Sequence, residues 1–173
     1  MKPADILTRA RSAVGKGCRY SLGTGGYHPA DELPARPTWR RPRGKVLPVR
    51  ARWLDCSGFV SWVLGRNRAV TIVPKMWGLS TDSVYADAHP TKGEHRLFLP
   101  IASPIPGCIA VFGDWVGADG KAHQGHIAIV ADPDRHTVVD CSSSQDGVAE
   151  HVQEVFWSGK HRVVWCLLHH PEG

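Results

Sequence analysis

The chain changes texture at Pro106, and that change constrains the fold more than any other feature. Beyond it, CIAVFGDW (from Cys108), HIAIVAD (from His126), HTVVDCS (from His136) and HRVVWCLL (from His161) are short runs rich in β-branched and aromatic residues. Each is bounded by Gly, Pro or Asp, so each reads as a strand, and their succession predicts an antiparallel meander. Ahead of them, Ala4–Val14 carries Ile6, Leu7, Ala10, Ala13 and Val14 near helical spacing, entered by Pro3 and closed by Gly15. Phe59, Val60, Val63 and Leu64 form a second helical face ending at Gly65, and SVYADAHP predicts a short third helix stopped by Pro90. Helices first and a sheet afterwards is the α+β pattern. At 173 residues the chain is expected to form one domain, residues 1–173, with a proper core.

Charge divides the chain unevenly. Residues 1–54 hold 12 Lys or Arg against 3 Asp or Glu, whereas residues 55–173 hold 9 against 13. Most of the excess lies in a stretch at about 24–52, which has five prolines and the run RPTWRRPRGKVLPVRAR. A loop this long in a compact domain is either functional or disordered. Its charge favours an anionic partner or serves as a solvated surface. No stretch approaches the roughly 20 apolar residues that span a bilayer. The N-terminus lacks the apolar core of a secretory signal, because Asp5, Arg9 and Arg11 interrupt it. The expectation is a chain made in the cytoplasm and carried elsewhere, if at all, by another system.

Five cysteines (18, 56, 108, 141, 166) form no CxxC pair and no Cys/His spacing that suits zinc. Cys56 differs from the others by its setting, Asp55-Cys56-Ser57-Gly58, directly ahead of the second helical face. A helix N-terminus favours thiolate over thiol through its unsatisfied N–H groups and the macrodipole. Asp55 or Ser57 is suited to cap that helix, Gly58 to let a substrate backbone approach, and the nearby N–H groups to hold an oxyanion. The competing reading is a small buried core residue, the usual fate of a free cysteine. A nucleophile also needs a base. Among ten histidines, His126 stands apart because it follows Gln124-Gly125 and opens the strand HIAIV, which fixes its backbone and leaves its ring available. The other nine read as surface residues of loops, turns and the tail. On the next predicted strand Asp140 is placed to orient the imidazole, or simply to end a strand, while Cys141 turns to the other face.

Taken in order, these residues resemble the NlpC-type family of papain-like bacterial cell-wall cysteine peptidases. The resemblance rests on Asp55-Cys56-Ser57-Gly58-Phe59-Val60, Pro106-Gly107-Cys108-Ile109-Ala110-Val111-Phe112, Gly125-His126-Ile127-Ala128-Ile129-Val130 and Val138-Val139-Asp140, with Gly17-Cys18-Arg19-Tyr20-Ser21-Leu22-Gly23 upstream. It runs from about residue 4 to 145. It implies N-terminal helices packed on a central antiparallel sheet. It assigns Cys56 as nucleophile, His126 as base and Asp140 as orienting residue, with Tyr20, Ser57, Gly58 and Gly125 at the substrate or oxyanion site. It implies neither cofactor nor metal, and a substrate among peptidoglycan stem peptides, cut at bonds such as D-glutamyl to diamino acid. Three features depart from the family pattern. Cys108 stands where Asp is usual, Asp140 where His is usual, and the basic segment separates the tyrosine and cysteine motifs.

The leading expectation is therefore a thiol hydrolase of cell-wall peptides. Its route to the wall would be a phage lysis or tail system or a contact-dependent secretion machine, with an immunity protein as a further partner. The same triad also serves deamidation, acyl transfer or isopeptide cleavage on other substrates. A third reading is a basic binding module for nucleic acid or another anionic polymer, using the arginine loop with Trp39 and Trp53. It leaves the ordered Cys, His and Asp unexplained, so no nucleic-acid partner is expected.

Overall fold

A computed structural model describes residues 1–36, 52–89 and 97–169. In chain order the elements are α1 (Pro3–Ser12), β1 (Cys18–Tyr20), β2 (Arg52–Leu54), α2 (Cys56–Val63), α3 (Thr81–Ala88), β3 (Phe98–Ile101), β4 (Ile109–Phe112) and β5 (Trp115–Val116). After these come β6 (Ala122–His123), β7 (His126–Asp132), β8 (Thr137–Ser142), β9 (Gly147–Val152), a 3-10 turn at Glu154–Phe156 and β10 (Val164–Leu168). Six strands form one antiparallel sheet in the order β3-β10-β4-β7-β8-β9, and the class is α+β as the sequence predicts.

Strand alternation gives the sheet two apolar faces. Ile109, Val111, Ile127, Ile129, Val139 and Cys141 point to the helices and pack with Ile6, Leu7 and Ala10 of α1 and Phe59, Val60 and Val63 of α2. Ala110, Phe112, Ala128, Val130 and Val138 point the other way, where Phe156, Trp157 and Trp165 cover them. All eight residues of α2 are buried, so this helix is held by contacts around its whole circumference. At roughly 3–5 kcal/mol for truncating a buried aromatic, Phe59 and Trp62 together fix it firmly under the sheet.

The predicted meander holds for β4, β7, β8 and fails at its end. The strand next to β8 in space is β9, which was not among the predicted strands. β10 returns instead to lie between β3 and β4. Its physical reason lies in composition: Cys166 is fully buried on one face while Trp165 and Leu167 pack on the other, so the strand needs cover on both sides. The segment at about 24–52 is also not one loop throughout. Arg52–Leu54 pairs in parallel with Cys18–Tyr20, and Trp62 Nε1 donates to the Asp31 carbonyl at 2.9 Å, tying residues near 31 to α2. Residues 37–51, with Trp39, Arg40, Arg41 and Arg43, lie outside the described residues.

Candidate active site

β2 runs directly into α2, so the chain turns at Asp55 and places Cys56 at the first helical position. Asp55 is the N-cap: its Oδ1 accepts from the Gly58 N–H at 2.8 Å and from the Ser57 hydroxyl at 3.2 Å. Its Oδ2 accepts from the Gly23 N–H and from Arg68 Nη2, both at 2.7 Å. Arg68 also donates to the Thr24 carbonyl at 2.8 Å and to Ser57 Oγ at 3.0 Å. This buried ion pair sews three segments together beneath the thiol. An interior carboxylate is tolerated because four donors surround it.

His126 begins β7 and Asp140 lies in β8. They sit on the same face, because an even number of residues separates each from the paired Val130 and Val138. His126 Nε2 donates to Asp140 Oδ2 at 2.6 Å, a short charge-assisted contact. With Nε2 so engaged, Nδ1 is the ring nitrogen left for Cys56, which is near enough to help raise the imidazole's pKa. Phe112 and Phe156 flank the ring at centroid distances of 6.5 and 5.7 Å, which limits its rotation.

Burial on its own disfavours the His126 cation, but Asp140 and then Cys56 outweigh it, and the imidazole is pushed up to about 10. The Asp140 carboxyl is likewise penalised by burial, yet hydrogen bonds from His126 and His151 hold it down at about 2. The arrangement is an imidazolium clamped to a carboxylate on one side and open to a thiol on the other. That is the arrangement in which a thiolate forms and a leaving group is protonated.

His151 is the residue that sequence reasoning missed. It lies in β9, where Val138 pairs with His151 and Asp140 with Ala149, so its ring stands diagonally beside Asp140. Its Nε2 donates to Asp140 Oδ1 at 3.0 Å. A signal for it was present: Gln145-Asp146-Gly147 is a turn sequence, and a hairpin closed there brings a strand alongside Asp140.

A cleft of about 350 Å³ opens over the sulfur, lined among others by Tyr20, Cys56, Thr81, Asp114, Gly125 and His126. Tyr20 is brought there by β1, whose exit is bonded to the helix start through Ser21 N to the Leu54 carbonyl and Asp55 N to the Thr24 carbonyl. Thr81, the first residue of α3, has its hydroxyl 3.7 Å from the Cys56 sulfur. The expected role of Gly58 is corrected. A Cβ there would meet the Thr24 carbonyl oxygen at 2.5 Å, so its smallness serves the chain's own loop rather than a substrate. Ser57 is also turned inward, its hydroxyl shared between Asp55 and Arg68. The Gly125 N–H donates to Asp114 Oδ1 at 2.7 Å, and a Cβ would meet the Phe112 carbonyl oxygen at 2.3 Å. Gly125 therefore lets the chain pass close to β4 and sets the approach to His126, its amide being occupied.

The other four cysteines are free and buried. Burial pushes the Cys18 and Cys108 thiols up to about 11, and those of Cys141 and Cys166 upward as well. Cys141 faces the helices, as alternation predicts, and donates to the Leu54 carbonyl at 3.3 Å. Cys108 fills the far apolar face. Trp53 is buried too, which removes it from any polymer-binding surface. No helix among the described residues is long and apolar enough to cross a membrane.

No protein-family model matches the chain, and no curated protein matches it in sequence. Among solved structures it is similar to that of NlpC1 from Trichomonas vaginalis, with 16% sequence identity and a TM-score of 0.47. The similarity covers 94% of this chain and 43% of that one, so the chain spans less than half of that protein's solved length.

Proposed function

We propose that this chain is a cysteine hydrolase that cleaves amide bonds through a thioester, with Cys56 as nucleophile, His126 as acid and base, and Asp140 as the orienting carboxylate. The observation that carries the reading is the His126–Asp140 hydrogen bond at 2.6 Å, on a histidine whose remaining nitrogen is left free of Asp140 and whose pKa Cys56, at a helix N-terminus, helps to raise. In the first step the single proton shared by the Cys56–His126 pair is held on Nδ1, and the sulfur attacks the carbonyl carbon. The oxygen of the tetrahedral intermediate takes the charge. The Cys56 N–H, which has no intrahelical acceptor at the first helical position, is the donor best placed for it, and Tyr20 lines the same cleft. Collapse breaks the C–N bond, and the amine leaves with the proton held by His126. A water then attacks the thioester, His126 takes its proton, and the acid is released as the thiolate returns.

For the substrate, the order of motifs that resembles the NlpC-type family supports peptidoglycan stem peptides. On that reading the protein acts in the periplasm or wall after delivery by another system. The test is digestion of purified sacculi and of soluble stem peptides by the wild type and by Cys56→Ala, with mass analysis of the fragments. New amine termini at one stem-peptide bond, absent with the variant, are expected. Survival of both substrates alongside an alkylation-competent Cys56 would overturn the substrate assignment and favour a protein or small-amide substrate.

A further inference from the structure

We propose that His151 is a positioning residue of the same site, the far end of a four-group line Cys56–His126–Asp140–His151, acting on the thiol–imidazole pair through the carboxylate. The inference rests on the hydrolase reading of Cys56 and His126 and adds to it a residue outside the triad.

Three observations carry it. Asp140 is fully buried, and its two oxygens are divided between two rings: Oδ2 takes His126 Nε2 and Oδ1 takes His151 Nε2. A carboxylate held from one side can rotate about its terminal torsion, which is broad. Held from both sides, it is locked in the plane that His126 needs. The strand register makes the arrangement unavoidable, since β8 lies between β7 and β9 and carries Asp140 between diagonal neighbours on both. Finally, neither ring is on the surface in any ordinary sense: the side chains are 17% and 16% exposed. A surface histidine gains nothing from such a placement.

The line runs thiol, imidazole, carboxylate, and a second imidazole that the carboxylate pulls upward in pKa, with burial opposing. When His151 carries its proton, the positive charge at the far end restrains how strongly Asp140 holds the proton on His126. That matters because His126 must surrender this proton to a leaving amine. The other charged groups near β9 do not face this line. Glu150 turns to the helix side and pairs with Arg11, Asp146 at the hairpin turn pairs with Arg19, and Glu154 past the strand end pairs with His136. Asp140 and His126 are thus the partners His151 answers to.

The test is the rate of Cys56 alkylation by iodoacetamide against pH, in the full chain, for wild type, His151→Gln and His151→Phe. Both variants remove a group able to carry positive charge at the end of the line, so the acid limb of the profile is expected to move to higher pH by about half a unit or more. The plateau rate is expected to be kept within about threefold in His151→Gln, which retains a donor, and to fall further in His151→Phe. If His151→Phe does not fold, as judged by its circular dichroism, the limb in His151→Gln decides alone. Limbs that coincide with wild type overturn the proposal and leave His151 as packing. A wild-type Cys56 that reacts no faster than the other four thiols overturns the hydrolase reading itself, so the two failures are distinguishable.

Discussion

Replacing Asp140 by Asn changes one atom and removes one charge, at a position where both oxygens are in use. The carboxylate accepts a ring N–H on each, at 2.6 Å from His126 and 3.0 Å from His151. An amide has one accepting oxygen, so one imidazole must face an NH2 group, which a ring nitrogen carrying a proton meets donor against donor. The size of the effect is bracketed by the two partners. His126 rises from an ordinary 6.5 to about 10, with help from Cys56, whereas Asp140 falls only from 3.8 to about 2 against a burial penalty. At about 1.4 kcal/mol per unit, the smaller displacement sets a scale of about 2 kcal/mol for the coupling. The assay is an NMR titration of the His126 Cε1–H, identified by its absence in His126→Ala. In Asp140→Asn the midpoint is expected to drop by at least about one unit from its wild-type position near 10, and turnover to fall about 30-fold or more. A midpoint that stays in place would refute the claim that Asp140 holds the imidazolium.

Other perturbations test the frame around the thiol. Gly58→Ala forces a methyl against the Thr24 carbonyl, which belongs to backbone, and overpacking of this kind costs about 1–3 kcal/mol; thermal unfolding should fall by several degrees. Arg68→Leu strands the Asp55 carboxylate with its remaining neutral donors, and should cost about 3–5 kcal/mol in denaturant unfolding, whereas a loss under 1 kcal/mol would contradict the buried pair. Stability should also depend on pH in a defined window. The raised pKa of His126 makes its contribution full below about 6.5 and lost as pH rises through about 10, whereas the lowered pKa of Asp140 makes its contribution full above about 4 and lost as pH falls through about 2. The stability gap between wild type and Asp140→Asn should therefore be widest near pH 4–6.5, and a flat gap across that range and beyond would contradict the linkage.

The parts of the fold legible in the sequence are those whose signal is local. α1 announces itself by Pro3, a 3.6-residue apolar period and Gly15; β7 and β8 do so by dense β-branched runs between turns. What stayed hidden depended on distant partners. β10 reads like any other strand, and nothing within VWCLL says that it inserts between β3 and β4. β3 contains Pro100, a residue that argues against a strand. β9, with the sequence GVAEHV, has one face half open and few β-branched residues, so its period is faint. His151 was lost with it. Gly58 illustrates the same limit, since a glycine beside a nucleophile suggests room for substrate, and only the path of Thr24 reveals what occupies that room. Cys56 and His126 were legible because their chemistry is tied to the start of a helix and the start of a strand, both of which are local features.

Everything proposed for this site depends on one of five thiols being a nucleophile activated by His126. Intact-protein and peptide mass spectrometry after brief exposure to iodoacetamide near neutral pH reads that activation directly. A single adduct is expected, located on Cys56 and formed much more slowly in His126→Ala, because burial holds the thiols of Cys18, Cys108, Cys141 and Cys166 in their neutral form. Slow labelling spread evenly over the five cysteines, unchanged in His126→Ala, would contradict it.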